Sequence, residues 1–207
     1  MTPARRSAVD ESETRTALLD AAEATMLEEG YAAVTTRRIA SRAGVNSALV
    51  YYYFDTMDGL FIALFHRGAE HTRDRWQRRL ASPQPLWGLW DLLRDRSNTA
   101  RTMEFIALSN HRKAIRAEIA TAARTFHRMQ LKTLSGVLEG YGVDTERWPP
   151  TAVIVMMTGI ARYLLIEEAF DVRLGHAETV ALVERNIREL EGEREPIDED
   201  VLATGVS

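Results

Sequence analysis

Apolar residues recur at helical spacing along most of the chain. Leu18, Ala22 and Met26 stand four apart, the repeat of one helix face, and predict a first helix from Ser12 as its cap to Glu29, closed by Gly30 in a left-handed cap. Thr35-Thr36 offers a second cap for a short helix over residues 37–43. Gly44-Val45-Asn46 then reads as a tight turn, and residues 47–53 as another short helix. A longer helix opens at Asp55-Thr56 or at Asp58 and runs through Leu60, Ala63 and Leu64 toward Leu80. Ser82-Pro83-Gln84-Pro85 breaks the pattern. Further helices are predicted over residues 86–93, 99–109, 114–141, 150–170 and 177–190. No run alternates polar and apolar long enough for a strand, and no repeat has a solenoid period. The fold class is therefore all-α.

The organisation expected from this pattern has four parts. Residues 1–11 are polar and aperiodic and read as a disordered arm. Residues 12–57 form a three-helix unit, too small to bury much surface alone, which leans on the helix that follows. Residues 58–190 form a larger helical domain. Residues 191–207 open with EGEREPIDED and read as an acidic, disordered tail.

Within the small unit, residues 35–54, TTRRIASRAGVNSALVYYYF, carry the most information. A helix, a three-residue turn with glycine and a second short helix make a helix-turn-helix. Gly44 suits the positive φ of such a turn. Ile39, Ala40, Val45 and Val50 have the size to pack two short helices on the first. The second helix is the one that enters a major groove.

Charge at first opposes nucleic acid, since the net charge is −4. Its distribution matters more. Residues 191–200 alone contribute −5, so the rest of the chain is slightly positive, at +1. Residues 35–54 hold Arg37, Arg38 and Arg42 and no acid, a local basic surface sufficient for phosphate contact. There is no cysteine, which excludes disulfides, thiolate metal sites and cysteine nucleophiles. The N-terminus has arginines without an apolar stretch behind them, unlike a secretory signal. The most apolar run, residues 152–161, stops at Arg162, short of the roughly 20 residues of a bilayer span, and reads as a buried helix.

GVNSALVYYYF followed by DTMDGLF resembles the signature of the tetracycline-repressor (TetR) family of transcriptional regulators. Residues 11–30 and 35–40 resemble that family's first and second helices, so the likeness covers about residues 12–65. It implies an N-terminal helix-turn-helix domain, a C-terminal ligand-binding and dimerisation domain, and a cytoplasmic homodimer. Such a dimer would leave a palindromic operator on double-stranded DNA when a small-molecule effector binds. The resemblance places Thr36, followed by Arg37, at a phosphate, and Asn46, Ser47 and Ala48 on base edges. It puts Tyr51 and Tyr52 on phosphates, with Tyr53 near the DNA. The family often has lysine at the position of Ser47 and very often at that of Met57; this chain has neither. Their absence is the one support for a rival reading, a helical ligand-binding or scaffold dimer with a decayed head.

Other chemistry finds little footing. The histidines make no HExxH or HxxxH pair; His66 and Glu70, four apart, fit a surface hydrogen bond better than a metal pair. No Gly-x-Ser-x-Gly, P-loop or dinucleotide fingerprint appears, so neither an enzyme nor a cofactor is expected. The effector pocket is expected among Trp87, Trp90, Met103, Phe126, Met129, Met156, Met157 and Tyr163, a methionine-rich set suited to an apolar ligand, with His111 as a polar anchor. Residues 150–170 are apolar nearly all round, and Val180, Val183, Ile187 and Leu190 make a stripe on the last helix. A four-helix dimer interface through Val153, Ile160, Leu164 and that stripe is the expectation.

Overall fold

The computed structural model describes residues 3–195, with side chains from residue 11 onward. Among the described residues there are nine α-helices and no strand. They are α1 (Pro3–Glu29), α2 (Thr36–Ala43), α3 (Ala48–Phe54), α4 (Met57–Leu80), α5 (Pro85–Leu93), α6 (Arg96–Ser109), α7 (Lys113–Gly140), α8 (Pro150–Glu168) and α9 (His176–Glu191), with a 3-10 turn at Tyr31–Ala33 after α1.

Two expectations at the chain ends change. Helix α1 begins at Pro3, so Ser12 lies inside it and residues 3–11 are helical. The stretch lacks an apolar stripe, and periodicity reports burial rather than helicity. At the other end, residues 192–195 are held against α5: Gln84 Nε2 donates to the Glu193 carbonyl at 2.8 Å, and Arg194 pairs with Asp91 at 2.7 Å. The remainder of the expected tail, residues 196–207, lies outside the described residues.

The helices form two compact units. The first comprises residues 1–74 and 96–128, the second residues 75–95 and 129–207. The sequence suggested a boundary at Met57–Asp58, but the first unit runs on to Asp74 and takes in α6 with the front of α7. Its core explains why. Phe105, Leu108 and Ile115 belong to the same buried cluster as Leu18, Ala22, Met26, Ile39, Val50, Phe54, Leu60 and Leu64. The three small helices cannot close a core of their own, so α6 covers it.

Local geometry in this unit follows the residues. Gly30 ends α1 at φ 84°, ψ 161°, an extended positive-φ conformation open essentially to glycine alone, rather than the left-handed cap expected. The Thr35 side chain caps α2 by accepting from the Arg38 amide, and Gly44 closes it at φ 68°, ψ 27°. Thr56 Oγ1 caps α4 by accepting from the Gly59 amide at 3.0 Å. Gly59 itself lies against the end of α3: a β-carbon there would stand 2.1 Å from the Phe54 carbonyl oxygen.

In the second unit α5 packs against α8 and α9. Pro85 to Trp90 and Leu92 are buried. Ile154, Met157, Ala161 and Leu164 form the buried face of α8, and Leu134 and Leu138 that of the back half of α7. Glu191 fastens the C-terminus of α9 to the start of α5. Its carboxylate accepts from the Leu86 and Trp87 amides at 2.7 and 3.0 Å and from the Tyr141 hydroxyl at 2.9 Å. Those amides are unpaired donors of a helix N-terminus, where a carboxylate is favoured. Burial, with the Glu191 bond and charge, pushes the Tyr141 hydroxyl up to about 12.

Candidate nucleic-acid interface

The turn at Gly44 brings α2 and α3 together, with Ile39, Ala40, Val50 and Phe54 inward. Asn46, Ser47, Ala48, Tyr51 and Tyr52 are exposed, the last two at 53% and 66%. Exposed aromatic rings beside a helix-turn-helix turn are the unusual observation, because tyrosine normally buries its ring. At the start of α2, Thr36 Oγ1 lies 3.4 Å from the Tyr51 hydroxyl and 3.5 Å from Met57 Sδ. The two hydroxyls and the amide end of α2 thus converge on one place.

Two of the expected residues have other work. Asn46 Oδ1 accepts from the Ala48 amide at 2.8 Å, so this side chain caps the recognition helix. Tyr53 is half-buried against the core and meets Tyr52 edge-on at 5.0 Å. It supports its neighbour rather than standing on the open surface.

Electrostatics divide the three arginines of the motif. Arg38 pairs with Glu29 and Arg42 with Glu28, both at 2.7 Å. The Arg42 hydrogen bond holds the Glu28 carboxyl below its ordinary range, and the same bond raises the guanidinium. Arg37 is exposed and pairs with no acid among the described residues.

Behind the motif, the Glu23 carboxylate receives Arg101 from α6 at 2.8 Å and Arg67 from α4 at 2.7 Å. Burial raises the Glu23 carboxyl, but the hydrogen bonds and charges of the two arginines outweigh it and leave it below its ordinary value. Arg112 pairs with Asp58 at the start of α4 and lies over the Phe61 ring.

The residues expected around an effector divide between the units. Trp87, Trp90 and Met157 are buried in the second, where the indole N–H groups of Trp87 and Trp90 donate to the Gly192 carbonyl and to Glu184. Met129, in the same unit, is half-buried, while Met156 and Tyr163 are exposed at 45% and 60%. Met103, His111 and Phe126 belong to the first unit. There His111 is exposed and stacks on Tyr31, with ring centroids 6.4 Å apart. Sequence reasoning passed over Gln130. It is 5% exposed, and its Oε1 has no hydrogen-bond partner among the described residues. Its signal was present: Phe126, Gln130, Leu134 and Leu138 make a stripe four apart, with one polar member.

Among the expected interface residues, Leu164 and Ile187 are buried within the chain at 5% and 4%. Val153, Ile160, Val180 and Val183 are half-buried, and Leu190 is 38% exposed. The open apolar positions are instead Val155, Met156, Tyr163 and Ile166 of α8, Leu182 of α9, and Phe170 and Leu174 between the two helices. Tyr163 donates to Glu167 at 2.5 Å, and Glu167 meets His176 Nε2 at 2.9 Å. By length and composition α8 would also pass as a bilayer span, a test that core helices of soluble proteins meet as well.

The fold and this head define an all-helical helix-turn-helix protein. Residues 18–64 match the family model described as bacterial regulatory proteins, tetR family. No curated protein matches. Among solved structures, one described as a TetR-family transcriptional regulator from a Rhodococcus species is 18% identical, with a TM-score of 0.67, over 87% of this chain and 99% of that one. A TetR transcription regulator from Haloarcula marismortui is 20% identical, with a TM-score of 0.66, over 87% and 97% of the two chains. A transcriptional regulator from Saccharomonospora viridis, in complex with choline, is 18% identical, with a TM-score of 0.66, over 86% and 95%. Residues 18–64 are thus similar to the N-terminal part of TetR-family regulators, and the chain as a whole shares the fold of these solved structures.

Proposed function

We propose that the chain is a cytoplasmic, homodimeric repressor that holds a palindromic operator and leaves it when a small, largely apolar effector binds. The observation that carries the DNA part is the convergence of Thr36 and Tyr51 hydroxyls, 3.4 Å apart, at the start of α2. In this reading they and Arg37 position the head on phosphates, while the exposed start of α3 faces base edges. Dimerisation is supported by the apolar face that α8 leaves open, since an apolar helix seeks cover on every side. It would set two recognition helices about 34–36 Å apart, one turn of DNA.

The effector belongs in the second unit, where Gln130 offers an acceptor to a ligand otherwise met by apolar walls. Guanidinium groups of Arg94 and Arg194 lie over Trp90 and Trp87 at 5.6 and 6.0 Å. These rings therefore give no open aromatic cage to a quaternary ammonium such as the choline of the Saccharomonospora viridis protein. Release requires that the effector favour the state that does not hold DNA.

Binding of the full chain to DNA upstream of its own gene, followed by transcription from that DNA in vitro, tests the proposal. Tyr51→Ala should weaken binding across many sequences at matched salt. Failure of the parent to bind any DNA would favour a helical scaffold instead.

A further inference from the structure

The seven residues of α3, ALVYYYF, carry no charge, and neither do Asn46 and Ser47 before them. A helix in the major groove reads guanine chiefly by arginine or lysine on O6 and N7, adenine by bidentate asparagine or glutamine, and thymine by apolar contact with its 5-methyl group. The first means is absent from α3. Of the α2 arginines, Arg38 and Arg42 are tied to Glu29 and Glu28 at 2.7 Å, and Arg37, the one free of an acid, stands beside Thr36 at the start of α2, where the reading above sets it on phosphate. The second fails because the Asn46 carbonyl oxygen is committed to the Ala48 amide at 2.8 Å. Bidentate adenine readout needs that oxygen as acceptor, and only the amide's N–H groups remain.

What α3 leaves open is apolar. Ala48 is exposed, and Tyr52, one turn later on the same face, is exposed at 66%. Tyr53 braces the Tyr52 ring edge-on at 5.0 Å. Tyr51 lies on the adjoining strip, with its hydroxyl 3.4 Å from Thr36.

We propose that the recognition helix reads its operator through the 5-methyl group of thymine, seated against the Ala48 methyl and the Tyr52 ring. Each half-site then holds a fixed A·T pair opposite Ala48, with its thymine methyl toward the helix. This rests on the DNA-binding reading above and adds which base edge is read.

The test starts with the full-length protein and a random double-stranded DNA pool. Repeated selection should yield half-sites sharing at least one invariant thymine. Replacing that thymine by deoxyuridine removes only the methyl group and should weaken binding about fourfold, the factor that burying one methyl supplies. Against Ala48→Gly, its folding checked by circular dichroism, the uracil effect should shrink, and against Ala48→Gly with Tyr52→Ala it should vanish. Invariant guanines with no invariant thymine, or equal affinity for thymine and uracil sites, would overturn the proposal while leaving DNA binding intact. Failure to enrich any sequence would remove the DNA-binding reading and this proposal with it.

Discussion

The backbone N–H of Tyr31 donates to Glu104 Oε2 at 2.7 Å, joining the turn after α1 to α6 across 73 residues of sequence. A carboxylate on an otherwise unmade backbone donor contributes about 1.5–3 kcal/mol. Glu104→Ala should destabilise the first unit by about that amount in chemical denaturation. A fragment ending at residue 57 should stay unfolded, because it lacks Phe105, Leu108 and Ile115 from the shared core. A cooperative unfolding transition in that fragment would contradict the arrangement.

Gly59 sets the junction of α3 and α4. Its missing β-carbon leaves room for the Phe54 carbonyl, 2.1 Å from where that carbon would stand. Gly59→Ala forces backbone apart from backbone and should cost ~1–3 kcal/mol, as overpacking does. The recognition helix should be disturbed with it, so DNA affinity should fall more than for an exposed control such as Ser41→Ala. Equal effects of the two variants in a binding assay would count against this role.

Gln130 predicts an opposite sign. Its buried, unpartnered Oε1 opposes folding by ~1–3 kcal/mol. Gln130→Leu should raise the melting temperature while DNA binding stays unchanged. A lower melting temperature would mean that the amide is satisfied by water or supports its neighbours.

Tyr141 supplies a pH dependence. Its hydroxyl ionises near 12 in the folded chain, against an ordinary value of 10.0. The folded state therefore keeps this proton longer than the unfolded state does. The resulting stability is fully present below pH 10 and is lost as pH rises through 12. The difference in stability between parent and Tyr141→Phe should be constant up to about pH 10 and shrink above it. A difference independent of alkaline pH would show that the hydroxyl is neither buried nor bonded to Glu191 in solution.

Assembly is tested at Val155, which is 68% exposed, rather than at Ile187, which is 4% exposed. Arginine at position 187 would strike the chain's own core and report folding. Val155→Arg should leave the fold intact and convert a dimer to a monomer in sedimentation, with a steep fall in operator affinity as each head binds alone. A folded Val155→Arg dimer would remove this face from the interface.

Local chemistry was the legible part of the sequence. Thr35 and Gly44 announce the ends of α2, and SALVYYYF reads as a short helix because cap, turn and apolar positions lie within a few residues of one another. Asn46 was seen, but its competing roles, cap or base contact, differ only in where one oxygen points. The chain ends misled because residues 3–11 show no stripe and EGEREPIDED shows mostly charge. Nothing in that acidic run says that Glu191 meets the amides of Leu86 and Trp87, more than 100 residues earlier. Of the stripe over Val180, Val183, Ile187 and Leu190, Ile187 is buried within the chain and Leu190 is exposed. Periodicity marks a face that is covered, however, without saying whether the cover comes from the same chain, as it does for Ile187.

The path of the chain between its units bears on engineering and on descent. It leaves the first unit after Asp74, returns at Arg96 and leaves again after Arg128. Hybrid regulators are commonly imagined as a reading head transplanted onto a foreign sensor at one splice point. Here a single splice at Met57 would strip the head of α6 and pair its core with a stranger's residues. A working graft has to carry residues 96–128 along with the head. By the same logic, substitutions in Phe105, Leu108 or Ile115 should track those in Leu18, Ile39 or Val50 across lineages, whatever happens to the small molecule sensed.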